Sequence, residues 1–270
     1  MGFEITSLSN KHIKHIKSLH KRRNRDNNNE FIIDGLRLVE HSLLNSADIK
    51  AIYYTNELSS NERGCELLDS IACKDIGLYK VDEKIFKEIS TTDNPQGILG
   101  IVKRKYYNLD DVISKEKFTL IVLDRLQDPG NVGTIIRTAD SAGVNGIVAL
   151  KGTVDIYNSK TIRSTMGSIF TVPVIYAEDG LKLINTLREY GSDIISTTLN
   201  TEKYHFDVKY SNKNTIIIGN EANGISEELI ANSNVRVKIP IIGEAESLNA
   251  SIASAVVMYE LVRQNYFSEN

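Results

Sequence analysis

With 270 residues, 30.2 kDa, 41% apolar and 25% charged side chains, the chain reads as globular and longer than one average domain. That composition excludes collagen-like, mucin-like and wholly disordered chains, and no run of about eighteen apolar residues is present to span a membrane. The net charge of −3 argues against nucleic-acid binding until its distribution is read. Residues 11–25, KHIKHIKSLHKRRNR, hold seven Lys or Arg and no acid, while the rest of the chain carries 25 basic against 35 acidic groups.

The N-terminal MGFEITSLSN has no basic start followed by an apolar stretch, so no secretory signal is expected. Gly2 with Thr6 matches the myristoylation pattern, a short pattern that chance readily supplies. Within residues 11–25, Ile13, Ile16 and Leu19 recur at helical spacing, predicting a helix with an apolar side inward and a basic side outward. Such a face is either plainly solvated or a phosphate-neutralising surface whose binding weakens steeply with salt. His12, His15 and His20 lack acidic or thiolate co-ligands nearby and read as polar helix residues, not a metal site. Cys65 and Cys73, with no CxxC, read as reduced structural thiols of a cytoplasmic protein.

Next come FIID (31–34) as a strand, GLRLVEHSLLN as a helix, IKAIYYT (49–55) as a strand and NERGCELLDSIAC as a helix. IGLYKV (76–81), DEKIFKEIS and GILGIVK (97–103) add strand, short helix and strand. This order predicts a small α/β unit over residues 1–105, with 106–117 (YYNLDDVISKEK) as a polar linker. From Phe118 to 270 the pattern changes. FTLIVLDRL is a near-continuous apolar run, as in a buried parallel strand. The turn QDPGNVG, the helix TIIRTADSAG and the strand VNGIVAL follow, then further units to the long C-terminal helix in SLNASIASAVVMYELVRQNYF. Strand and helix alternating in this way predict a parallel sheet with helices on both faces, its ligand at the carboxyl ends of the strands.

Three loops at strand ends are dense in Gly, Asn and charge. In DPGNVGTIIRTAD (128–140), Asn131 is placed to cap the next helix, and Arg137 lies among apolar positions where it should be partly desolvated and partnered. In IIIGNEANGIS (216–226), Gly219 ends a strand, Gly224 starts a helix and Glu221 lies between. An acid there repels phosphate; it suits a neutral or cationic ligand, an orienting role for a basic partner, or simply a helix N-terminus. In IPIIGEAESLNASIA (239–253), Ser247 and Asn249 precede a helix rich in small residues, a place where Ser247 also reads as a plain helix cap.

The set NVGTIIRTAD, IIIGNEANG and IPIIGEAESLNASIA closely resembles the signature motifs of the SPOUT superfamily, and more narrowly of the TrmH/SpoU RNA ribose 2′-O-methyltransferases. The resemblance covers about residues 118–264, with TIRSTMGSIFTVPV also similar; FIIDGLRLVEHSL and NPQGILGIV resemble the family's N-terminal substrate-binding domain, with Asp34 where glutamate is more usual. It implies an α/β C-terminal domain with a deep trefoil knot, a homodimer and S-adenosylmethionine as cofactor, with no metal. Carried over by motif, the catalytic positions fall on Asn131, Arg137, Glu221, Ser247 and Asn249. Thr198, Leu199, Gly219, Asn220, Glu221, Gly224, Ile239, Ile241, Ser247 and Leu248 would hold the cofactor. Lys21, Arg22, Arg23, Arg25 and Arg37 would grip RNA, ribosomal RNA before transfer RNA. A base methyltransferase or a non-catalytic RNA binder of the same fold are the alternatives, and a nicotinamide dehydrogenase is excluded because no GxGxxG follows a strand.

Overall fold

The computed structural model describes residues 4–267, so Gly2 of the myristoylation pattern lies outside the described residues. Two compact units are present, each made of two stretches of chain. One takes the residues up to Lys105 together with Asp155–Phe170; the other takes Tyr106–Val154 and the residues from Thr171 onward.

The first unit begins with β1 (Glu4–Ile5), α1 (Lys11–Leu19), α2 (Arg22–Asn28), β2 (Glu30–Asp34) and α3 (Leu36–Leu44). It continues through β3 (Ile49–Tyr54), α4 (Asn56–Ser59), α5 (Glu62–Ala72), β4 (Gly77–Val81), α6 (Glu83–Ile89) and β5 (Ile98–Lys103). The strands form a mixed sheet of order β1-β4-β3-β5-β2, in which β5 runs antiparallel to both neighbours. The i, i+3, i+6 spacing of Ile13, Ile16 and Leu19 buries one side of α1 against Tyr53, Phe86 and Leu99, leaving its lysines in water. Both cysteines are exposed, so the structural role expected of them is not one of core packing.

In the second unit α7 (Leu109–Ile113) precedes β6 (Phe118–Asp124), α8 (Pro129–Ser141) and β7 (Gly146–Leu150). The expected linker is therefore not one. Val112 and Ile113 are buried in the same core as Phe118 and Leu120, a short apolar pair that a polar window conceals. After β7 comes α9 (Ser159–Thr165), inside the stretch that joins the first unit. Then follow β8 (Val174–Ala177), α10 (Gly180–Glu189), β9 (Asp193–Thr197), β10 (Lys213–Gly219), α11 (Glu227–Ala231), β11 (Val235–Val237) and α12 (Ala250–Phe267). The sheet is parallel throughout, in the order β11-β9-β10-β6-β7-β8. Its central strands are buried on both faces, which is why β6 reads as a continuous apolar run. Among the described residues no helix is long and apolar enough to cross a membrane.

The stretch 155–170 completes the first unit. Its Asp155 forms a buried ion pair with Arg25, Tyr157 packs its ring on Phe31 with centroids 4.9 Å apart, and Arg163 donates to the Thr91 carbonyl at 2.7 Å. Gly167, at φ +105°, allows the His41 ring to lie where a Cβ would stand 2.5 Å from it.

Candidate active site

Strand register sets up the site. Asp124 of β6 pairs with Gly219 of β10, and Thr197 of β9 pairs with Val237 of β11. The loops that leave these strands therefore emerge at one level on the carboxyl edge. Chain order reverses between β6 and β10, the place where open parallel sheets bind ligands. A cleft of about 600 Å³ opens on this edge, in the range of small-molecule sites. All ten positions assigned by resemblance to the cofactor line it, as does Asn249.

Gly219 is fixed by backbone crowding. A Cβ there would stand 2.3 Å from the Gly224 carbonyl carbon and from the Ile225 amide nitrogen. Asn220 and Gly224 close the loop with paired backbone hydrogen bonds of 3.0 and 2.9 Å, and Gly224 takes φ +65°. Gly224 does not start a helix, as the sequence suggested. It ends this turn, and α11 begins at Glu227 behind Ser226.

Asn131 is not a helix cap. Asp128 is, accepting from the Asn131 amide at 2.8 Å with Pro129 in the first turn. That frees the Asn131 side chain, only 8% exposed, to donate to Glu221 at 3.0 Å and accept from Asn249 at 2.9 Å. Asn249 in turn accepts from the amide and hydroxyl of Ser251, at 2.9 and 2.7 Å, and so caps α12; Ser247 stays exposed on the cleft wall. Glu221 also accepts from the Gln127 and Asp128 amides, at 3.0 and 3.1 Å. It thus sits on the N-terminus of α8, some 90 residues upstream, with the helix dipole favouring its charge. Burial would raise its pKa, but the hydrogen bonds from Asn131, Gln127 and Asp128 prevail and hold it below the ordinary carboxylate value. One chain of bonds thereby ties the three motif loops together: Glu221, Asn131, Asn249, Ser251.

Arg137 is not part of that chain. It is exposed, has no side-chain partner among the described residues, and does not line the cleft. Six residues along a helix turn it about 120° away from Asn131, so the buried neighbours on either side do not enclose it. Arg25 is corrected as well. It is 6% exposed, paired with Asp155, and donates to the carbonyls of Leu19 and His20, so its charge is spent inside the fold and not offered to RNA as a free cation. Lys21, Arg22, Arg23 and Arg37 are exposed, Arg22 beside Asp26 at 3.6 Å. His12 and His15 bond Tyr53 and Glu30, and among the described residues no cluster of metal-ligating side chains occurs.

Sequence reasoning missed the residues that brace the site. Asp124 is buried, pairs with Arg125 and accepts from the Ser226 amide at 2.7 Å. Arg125 takes φ +58°, and its carbonyl is held by Asn220 and Gln127 at 2.8 and 2.9 Å. Asp128 immediately before Pro129 was the readable signal, an N-cap followed by proline at the first helical position. Lys238, the one basic residue on the cleft wall among those described, gave none.

Comparison with known proteins agrees with this architecture. The profile of the SpoU rRNA Methylase family matches residues 119–259, and that of the MRM3-like substrate binding domain matches residues 10–100. The chain is 31% identical, over 96% of its length and 98% of the relative, to the 23S rRNA (guanosine(2553)-2'-O)-methyltransferase RlmP of Bacillus subtilis. It is 30% identical, over 78% and 86%, to the 23S rRNA (guanosine-2'-O-)-methyltransferase RlmB of Neisseria meningitidis. An AdoMet-bound rRNA methyltransferase from Sinorhizobium meliloti superposes with a TM-score of 0.87 at 33% identity, covering 98% of this chain and 99% of that one. The chain belongs to the SpoU rRNA methylase family, with an MRM3-like substrate-binding domain ahead of the methylase domain.

Proposed function

We propose that the protein transfers a methyl group from S-adenosylmethionine to a ribose 2′-hydroxyl of large-subunit ribosomal RNA. The observation that carries this reading is the cleft on which all three motif loops converge, braced by the bonds linking Glu221, Asn131 and Asn249. Its chemistry fits the cofactor. Ile218, Ile225, Ile239 and Leu248 offer apolar surface for an adenine, while Glu221 and Glu246 outnumber Lys238, which suits a cationic sulfonium and disfavours a phosphate. The close approach of Gly219 to Gly224 and Ile225 leaves backbone groups as the polar contacts of that wall. When bound, the cofactor supplies an activated methyl group and needs no metal.

The chain's own residues supply position and charge. Asn131 and Asn249 are each locked by an acceptor and a donor, and each keeps a second amide hydrogen to direct at the ribose. Glu221, through the three hydrogen bonds it accepts, holds the loop after β10 against the start of α8, a bracing role. Arg137 offers a planar guanidinium that stabilises charge developing on the 2′ oxygen. Because it points away from its own cleft, we place it in the site of a second copy, across a two-fold interface beside the exposed Ile252 and Tyr259 of α12. A monomer in sedimentation equilibrium at assay concentration would remove that placement. The reading locates the protein in the cytoplasm, where its two free thiols stay reduced.

The test incubates labelled S-adenosylmethionine with unmodified large-subunit ribosomal RNA and with transfer RNA, followed by nucleoside mass spectrometry. A 2′-O-methylated nucleoside from the ribosomal RNA is the expected product. Methyl transfer confined to transfer RNA would change the substrate, and a methylated base would overturn the reaction.

A further inference from the structure

In the first unit, Leu19 and His20 at the end of α1, Arg25 of α2, Ile32 of β2, Thr91 and residues 157–159 enclose a small notch of about 30 Å³, room for one oxygen-sized group. Its lining is rich in unused donors. The Arg25 guanidinium gives Nη1 to the Leu19 and His20 carbonyls and Nη2 to Asp155, while its buried Nε has no partner. Asn158 spends its Oδ1 on the Lys160 amide, which leaves its Nδ2 free, and the Ser159 hydroxyl has no protein partner among the described residues. The nearby acceptors are already engaged. Asp155 is paired with Arg25, Asp34 accepts from Ser90 and Thr91, and the Thr91 carbonyl accepts from Arg163. His20 is held below its ordinary pKa, chiefly by burial, and bonds the Ile89 carbonyl. Exposed cations stand beside the lining in sequence on both sides, Lys21–Arg23 before Arg25 and Lys160 after Ser159.

We propose that this notch is a phosphodiester-binding point of the RNA substrate, taking one non-bridging phosphate oxygen from Asn158 and Ser159 while Lys21 and Lys160 neutralise the charge. The inference rests on the RNA-modifying reading above. It assigns residues 158–160, which lie within the methylase profile, to the substrate-gripping surface. A ligand that is all acceptor suits a site whose own acceptors are satisfied. The buried pair of Arg25 and Asp155 then serves as a rigid floor that presents both halves of the notch.

The experiment measures binding of a large-subunit ribosomal RNA transcript to the full chain across a salt series, with calorimetric S-adenosylmethionine affinity and thermal unfolding as controls. Asn158→Asp with Ser159→Ala, which keeps the Oδ1 bond to the Lys160 amide while removing both donors, should weaken RNA binding roughly ten-fold, two hydrogen bonds being lost. Lys160→Gln should lower the salt slope by about one unit, as expected when one phosphate contact is removed. Cofactor affinity and melting temperature should stay as in the parent. Unchanged RNA affinity and slope in both variants, with the parent binding normally, would overturn the notch and leave it a site for an ordered water. A parent that binds no ribosomal RNA while retaining the cofactor would instead sink the functional reading on which it rests.

Discussion

Glu221 carries the most testable charge in the molecule. Its folded-state pKa lies below the ordinary 4.5 because three donors stabilise the carboxylate against the opposing cost of burial. A depressed pKa means that its stabilising contribution is complete above the unfolded value and is lost as pH falls through the folded one. Glu221→Gln should therefore flatten the acid limb of the stability curve below about pH 4.5, read by denaturant midpoints across pH. An acid limb identical to that of the parent would mean that the carboxylate carries none of this linkage. The same residue marks a limit of legibility. An acid at a helix N-terminus was one of the readings its position between Gly219 and Gly224 left open, and it does occupy one. The helix, however, is α8 and not the helix that follows in sequence. Arg25 illustrates the converse: a run of seven cations cannot reveal which member turns inward, because the answer depends on Asp155, 130 residues away.

At the scale of elements, the alternation of strands and helices was readable because apolar runs of this length have few other fates. Nearly every strand of both sheets lies where its apolar run stands. Loop geometry was less readable, since it is set by through-space partners: Asn131 looked like a cap until Asp128 took that role, and Gly224 looked like a helix start until it paired with Asn220. The end of β10 offers a sharp test. Gly219→Ala places a methyl group 2.3 Å from backbone atoms of Gly224 and Ile225, and neither can yield without opening the turn that walls the cleft. Cofactor affinity by calorimetry should fall at least ten-fold, about 1.4 kcal/mol, while the far-ultraviolet spectrum stays as in the parent. Unchanged affinity would mean that the turn shifts freely. The loop that follows β11 is open to solvent, with Ile242 94% exposed, so this wall lacks the packing that holds Gly219.

At the scale of the molecule, the chain passes between its two units three times, after Lys105, after Val154 and after Phe170. Sequence could not announce this, because residues 155–170 carry the methylase motif pattern and differ in nothing but their partners. A fragment ending at Lys105 would contain all five strands of the sheet but lose Asp155 from beside Arg25 and Tyr157 from Phe31. An uncompensated buried charge costs about 3–5 kcal/mol, enough to erase a small domain's margin. Such a fragment should unfold without a cooperative transition in thermal scans, and adding a 155–170 peptide should restore one. A sharp transition in the fragment alone would show that the later stretch is dispensable.

The shared stretch also sets a timetable on the ribosome. The substrate-binding unit is first in order of synthesis, yet it must wait while β6, α8 and β7 are made before Asp155 arrives to neutralise Arg25. At elongation rates of about 5–20 residues per second, that delay up to Phe170 is roughly 3–13 seconds. During it, a five-stranded sheet that still lacks α9 stands beside an unpaired arginine, and the nascent chain is most exposed to chaperones and proteases.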